Sequence, residues 1–271
     1  MKFEDIQVHE VGPVGWITIR REARLNALRM TVTDREIVAA LDAFAARPEV
    51  RAIVLTGGGE KAFCTGWDME EIGETSLTDL EDMVRRNGEL FDRVWRQRQP
   101  VIAAVNGHAV ATGAALAMAC DLVVASDTAK LAEPEIRHGA LSPFLILPFL
   151  THAKAVHEFY FTGDAIDADE MLRLGLVNRV VPLADLVPAA QALAERLALV
   201  PREALELKKR SLKAAYDFMG LRAATERHAL ADTLMIGADL PWQRALQEKM
   251  AQGGMRAFLD ARDGPFRKPG A

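Results

Sequence analysis

Val-Ile-Ala-Ala-Val-Asn-Gly-His-Ala-Val-Ala-Thr-Gly-Ala-Ala-Leu-Ala-Met-Ala-Cys-Asp-Leu-Val-Val-Ala-Ser, residues 101–126, is the stretch from which the rest of the chain can be read. Residues 101–105 form a short apolar, β-branched run of the kind a buried strand needs, and Asn106-Gly107 breaks it. Across 112–120 almost every side chain is small or apolar, which suits a helix with neighbours on all sides, and 122–125 returns as a second strand. The unit is strand, glycine turn, buried helix, strand. The first turn of a buried helix carries backbone N–H groups with no partner inside the helix, at the electropositive end of its dipole. A pocket at that turn becomes a site for developing negative charge, and the small residues Ala111, Gly113 and Ala114 let a ligand approach the backbone closely.

Outward from this unit, 6–9 and 14–19 alternate across Gly12-Pro13, a hairpin signal. A charged loop fills 20–28, and 34–44 is an amphipathic helix ending near Pro48. The next strand is 50–56, followed by Gly57-Gly58-Gly59, and 62–69 leads into an acidic segment at 70–74. Strand, turn and helix therefore occur at 50–70 and again at 101–120, an echo that predicts stacked β-β-α units presenting their loops on one side. A long helix spans 78–96, and Pro100 resets the chain. Residues 130–148 read as irregular, with Pro134, Gly139, Pro143 and Pro148; a segment so apolar is expected to line a pocket. Helices at 153–161 and 168–174 precede a strand at 176–181 closed by Pro182. From 186 onward the pattern is helical, at 186–199, 202–216, 221–236 and 242–251, with breaks at Pro201, Pro241-Trp242 and Gly253-Gly254. The chain thus divides into a mixed α/β core at 1–185 and a helical region at 186–271, whose apolar stripes are expected to pack on the core or on a neighbouring subunit.

With 271 residues, half of them hydrophobic, the composition is that of an ordinary soluble α/β protein. A net charge of -5 offers no basic footprint for nucleic acid. Cys64 and Cys120 sit in buried-looking segments and fit reduced thiols better than a disulfide scaffold. Residues 1–10 carry Lys2, Glu4, Asp5 and Glu10 rather than a secretory signal, and no apolar run reaches the length of a membrane span. The expectation is a cytoplasmic protein with neither a membrane nor a nucleic acid as partner.

Candidate chemistry narrows by elimination. Gly57-Gly58-Gly59-Glu60-Lys61-Ala62 has neither the third glycine of a dinucleotide fingerprint nor the Gly-Lys-Ser/Thr ending of a phosphate loop. His152 and His157 are five apart and His108 and His138 are isolated, so no metal is expected. Ser142 lacks a Gly-x-Ser-x-Gly elbow, and no base is paired with Cys64 in sequence. Glu135 remains, in Leu131-Ala132-Glu133-Pro134-Glu135-Ile136. A carboxyl held among Leu131, Ile136 and Leu141 loses hydration, and its pKa rises toward the range where it exchanges protons at neutral pH. The competing reading is a solvated loop glutamate.

Four segments in order resemble the crotonase (enoyl-CoA hydratase/isomerase) superfamily: 24–28 its Asn-Ala-Leu loop, 61–69 its Lys-Ala-Phe-x-x-Gly-x-Asp segment, 101–121 its Asn-Gly to Cys-Asp unit, and Thr162-Gly163 with 175–182 its later signature. The resemblance implies a spiral of β-β-α units with a C-terminal helical trimerisation region, usually swapped over a neighbour in trimers or hexamers; Phe218, Trp242 and Phe258 fit such a tail. It implies an acyl-CoA thioester substrate and no cofactor beyond that coenzyme A. Its oxyanion hole maps to the backbone N–H groups of Trp67 and Thr112. Backbone near Leu28, Ala62 and Asp68 frames the pantetheine channel, with Ala27 in the adenine loop and Arg24 at the CoA phosphates or adenosine. The two-glutamate hydratase pattern is broken: the second glutamate maps to Glu135, the first to Ala115. Single-glutamate members move a double bond from the 3 to the 2 position, which the 139–144 stretch also resembles, and proline at 143 replaces the Asp of dienoyl isomerases and dehalogenases. The expected activity is therefore double-bond isomerisation by Glu135. The alternatives are hydration with a partner such as His108 or Glu133, and acyl-CoA binding with little catalysis.

Overall fold

The run at 101–105 lies in the middle of a sheet covered on both faces, which is why it carries no polar position. The computed structural model describes residues 2–69, 77–141 and 144–267. Its strands are β1 (Ile6–Val11), β2 (Val14–Ile19), β3 (Ala52–Gly57), β4 (Ala62–Cys64), β5 (Val101–Val105), β6 (His108–Val110), β7 (Leu122–Ser126), β8 (Lys130–Ala132), β9 (Ile166–Asp167) and β10 (Arg179–Val181). The larger sheet has the order β1-β2-β3-β5-β7-β10, antiparallel only in the β1-β2 hairpin, and the smaller one β4-β6-β8-β9. From β3 to β8, consecutive strands fall in alternate sheets, β3 then β4, β5 then β6, β7 then β8, so each turn of the chain adds one strand to each.

Period-two alternation divides the larger sheet's side chains. Ile17, Ile53, Leu55, Val101 and Ala103 join the main core, whereas Trp16, Val54, Ile102 and Ala104 cluster with Leu186, Ala190 and Leu193 of α6 (Leu186–Ala198). Between the sheets runs α3 (Thr112–Ala119), buried at every residue, which explains its lack of any polar face. The other helices are α1 (Thr33–Ala45), α2 (Leu77–Trp95), α4 (Ala153–Thr162), α5 (Ala168–Arg173), α7 (Arg202–Phe218), α8 (Leu221–Ile236) and α9 (Pro241–Asp263), the last bent at Gly254, where φ is 67°. Asp121 ties α7 to the core by taking Lys209 Nζ at 2.6 Å and Lys213 Nζ at 2.9 Å while accepting the Val101 N–H at 2.8 Å.

The β-β-α stacking is present, with differences of detail. The helix of the first unit is α2 rather than a segment inside 50–70. The segment at 130–148 is not irregular throughout: it opens with β8 and continues as the 3-10 turn Pro134–His138. The strand expected at 176–181 is only β10. Strands of three residues are too short for alternation to declare them. Ser142, Pro143 and residues 70–76, including the acidic segment, lie outside the described residues.

In the tail, α8 packs on α2 and α9 on the Pro134–His138 turn of the same chain. Phe258 is buried 5.5 Å from the His138 ring, and Arg137 bonds Asp263 at 3.2 Å with its guanidinium 4.2 Å above the Phe266 ring. Phe218, by contrast, is 91% exposed. Among the described residues no helix is long and apolar enough to cross a membrane.

Candidate active site

β4, β6 and β8 run parallel, so their carboxyl ends fall on one side, and the chain leaves each through residues of the expected site. Ligands of open α/β sheets settle beyond strand carboxyl ends. Trp67 follows β4, Thr112 follows β6, and Glu133 and Glu135 follow β8.

The Trp67 amide is aimed by its neighbours. Leu28 donates to the Gly66 carbonyl at 2.8 Å and accepts from the Asp68 N–H at 2.8 Å, a parallel bridge in which Trp67's own N–H and C=O point away from Leu28. Its indole Nε1 donates to Asp34 Oδ2 at 3.2 Å and the ring stands edge-on to Phe91 at 6.3 Å. Thr112 opens α3, where an N–H has no partner inside the helix. Gly66 brings the two turns together: its φ is 102°, and a Cβ there would lie 2.9 Å from Ala111 Cβ and 3.7 Å from the Thr112 nitrogen. Neither amide has a backbone acceptor among the described residues.

The turn into α3 is strained. Ala111 has φ 59° and ψ -129°, a conformation that costs a residue with a Cβ about 1–3 kcal/mol. It is locked there because its N–H donates to the Ala132 carbonyl at 2.8 Å while its own carbonyl accepts from Ala114 and Ala115 at 2.8 and 3.1 Å. Ala111→Gly keeps these bonds and removes the strain. After about 0.5–1 kcal/mol is subtracted for the added freedom of the unfolded chain, the expected net gain is about 1 kcal/mol. That is a rise of about 2–4 °C in melting temperature, checked by thermal denaturation.

Glu135 sits on the turn that Pro134 starts. The residue as a whole is half-buried, yet its Oε2 is sealed from solvent and has no hydrogen-bond partner among the described residues. Burial pushes the carboxyl up to about 8, against the pull of its own backbone N–H and of Arg262; Asp232 adds to the rise. Asp232, on α8, is buried and takes the Leu141 N–H at 2.6 Å. Beside Glu135 lies a cavity of about 370 Å³ lined by Glu133, Tyr160 and His228 and by apolar side chains such as Leu141, Leu145 and Val156. Trp67 and Thr112 stand outside that lining, and the hydrogen bond from the Ala111 N–H to the Ala132 carbonyl links the start of α3 to the segment that carries Glu133 and Glu135. Glu133 is 5% exposed and shares the cavity, whereas His108, the other partner weighed for Glu135, is exposed on β6. Ala115 is buried within α3.

On the expected coenzyme side, Ala27, Leu28 and Ala62 are buried, the backbone of Leu28 being taken by Gly66 and Asp68. Three residues hold this frame. Asn26 Nδ2 donates to Gly58 and Ala62 carbonyls at 2.9 and 2.7 Å, and Asn106 Nδ2 reaches the same Ala62 carbonyl at 3.1 Å. Arg21 donates to Asp68 Oδ2 at 2.9 Å and to the Ala27 carbonyl. Arg24 is exposed at the end of the 3-10 turn Glu22–Arg24. Arg21 escaped the sequence reading because it lies in a run of charges, and Tyr160 because it reads as one more position of a helix. Among the described residues no group of three or more His, Cys, Asp or Glu side chains is placed to hold a metal ion. Cys64 is buried, its thiol pushed up by that burial.

A profile described as enoyl-CoA hydratase/isomerase matches residues 10–269. The chain is 37% identical to a probable enoyl-CoA hydratase of Mycobacterium leprae, covering 98% of this chain and 99% of that one. It is 36% identical to a putative enoyl-CoA hydratase of Thermus thermophilus, over 95% and 98%. The crystal structure of an enoyl-CoA hydratase/isomerase from Xanthobacter autotrophicus Py2 superposes with a TM-score of 0.94 at 30% identity, over 98% of this chain and all of the other.

Proposed function

The chain belongs to the enoyl-CoA hydratase/isomerase family, and on that footing we propose that it moves a proton at C2 of an acyl-CoA thioester, with Glu135 as the acid-base group. The N–H groups of Trp67 and Thr112 hold the thioester oxygen. As Glu135 Oε2 takes the C2 proton, the electron pair shifts onto that oxygen, and each amide donor is worth about 10²–10³ in rate. Return of the proton at C4 moves a double bond from the 3 to the 2 position. One carboxyl suffices for this, and the observation that carries the reading is the sealed Glu135 oxygen without a partner among the described residues, on a fold whose α3 offers only Ala115.

Hydration of a 2-enoyl-CoA is the second reading. It is favoured by Glu133 and Tyr160 in the same cavity and by relatives named enoyl-CoA hydratase. The coenzyme arm lies along Ala27, Leu28, Ala62 and Asp68 with Arg24 at the rim, coenzyme A entering as part of the substrate. The working form is a cytoplasmic homotrimer or homohexamer.

Assays with 3-enoyl-CoA and crotonyl-CoA separate the possibilities. Conversion of the first to the 2-enoyl isomer without hydration of the second is the expected result. Hydration of crotonyl-CoA at a comparable rate establishes the second reading. Tight acyl-CoA binding with turnover of neither would make the protein a binder and overturn both.

A further inference from the structure

The segment that follows Glu135 is seated by one carboxylate from the tail. Asp232, 3% exposed on α8, accepts the Leu141 N–H at 2.6 Å, and the Ala140 N–H donates to the carbonyl of Glu135 itself at 3.1 Å. Ala140 and Leu141 line the same cavity as Glu135, and so does His228, one helical turn before Asp232. Just before them, Gly139, with φ 78°, lies so close under the Trp242 ring of α9 that a Cβ has no room.

A neutral acceptor would serve the Leu141 amide equally well. A buried carboxylate costs more desolvation than one such bond returns, so its charge calls for a second use. The groups around Glu135 show which. Glu133 shares its segment, His157 and Tyr160 reach its cavity from α4, His228 and Asp232 come from α8, and Arg262 comes from α9. Of these, Arg262 and Asp232 act on the Glu135 carboxyl through charge, in opposite directions. Arg262 is offset by Asp263, which takes its guanidinium at 2.9 and 2.8 Å. Asp232 has no ion-pair partner among the described residues: burial raises its carboxyl to about 6, and the Leu141 N–H pulls it down. It is therefore an anion throughout the higher range in which Glu135 exchanges its proton.

We propose that Asp232 is a positioning residue for the proton transfer: it clamps the Leu141 amide, which seats the segment behind Glu135, and its negative charge in the same enclosed space favours proton uptake by Glu135. The inference rests on Glu135 acting as the acid-base group. It adds to that reading a second carboxylate, supplied by the tail, that touches no substrate and works through the first. Asp232→Asn separates the two duties, because Asn Oδ1 still accepts the Leu141 N–H and carries no charge.

The pH dependence of kcat/KM, measured with 3-enoyl-CoA and with crotonyl-CoA for the wild type, Asp232→Asn and Glu135→Gln, tests the assignment. Asp232→Asn is expected to shift the midpoint of the profile down by about half a pH unit or more, which on the acid limb is about a threefold gain relative to the plateau. Its melting temperature should not fall, since the clamp remains. Should the Asn variant not fold, Asp232→Ser, which keeps an oxygen on a shorter side chain, carries the same test. An unmoved midpoint, or one moved upward, would reduce Asp232 to a clamp and overturn the proposal. With Glu135→Gln inactive, that outcome leaves the acid-base reading standing. Wild-type rates in Glu135→Gln, or turnover of neither thioester by the wild type, would instead remove that reading and this inference together.

Discussion

Glu135→Gln is expected to lower kcat/KM for the proton transfer by about 10³-fold while leaving acyl-CoA affinity nearly unchanged, because Gln keeps the size of the side chain and cannot take a proton. The pH profile follows from the raised carboxyl. As the base, Glu135 works ionised, so wild-type kcat/KM should climb with pH and level off above about 8. Stability should move the other way. Between the ordinary carboxylate range and about 8 the folded chain holds a proton that the unfolded chain releases, so folding free energy is lost as pH rises through that window. The Gln variant has no such loss. Its melting temperature should exceed the wild type's at pH 9, with the gap narrowing toward pH 5. A gap that does not change with pH would show that the carboxyl titrates normally, and the proton-transfer role would lose its support.

Gly113→Ala should be nearly as damaging without touching any acid or base. The second residue of α3 lies against the last residue of β4, and a Cβ there would meet the Cys64 carbonyl oxygen at 2.0 Å and its carbon at 2.6 Å. Both are backbone atoms, so the helix start or the strand end must shift. Thr112 precedes Gly113, and Trp67 follows Cys64 by three residues, so either movement separates the paired amides. The expected result is a fall in kcat of about 10² or more, comparable to losing one oxyanion donor. KM should change less, because a thioester oxygen gains most from those donors once it carries charge. A variant with wild-type kcat would mean that the amides are not held by this contact.

Much of this was legible in the residues. The runs that became β3, β5 and β7 announce a sheet buried on both faces because they are apolar but for Thr56 and Ser126 near their ends, and α3 announces its position because no face is polar. Glu135 stood out once other chemistries failed on spacing. The smaller sheet was not legible: Ala-Phe-Cys, His-Ala-Val and Lys-Leu-Ala become strands through pairing with each other across the chain. The positive φ of Ala111 has no local signal either, since alanine is a poor choice for it; bonds to Ala132 and Ala114 impose it. Nor could the tail's stripes say which subunit they cover, because an apolar face fits its own core and a neighbour's alike.

That the tail closes on its own chain bears on how the protein is made. Helices α8 and α9 emerge from the ribosome after Glu135 has already done so, and they bring Asp232, His228 and Arg262 to its surroundings. Arg262 pulls the Glu135 carboxyl down and Asp232 pushes it up, so the last two helices set its acidity from both sides. The surroundings of Glu135 are therefore completed only when the last helices of the chain fold back beside it.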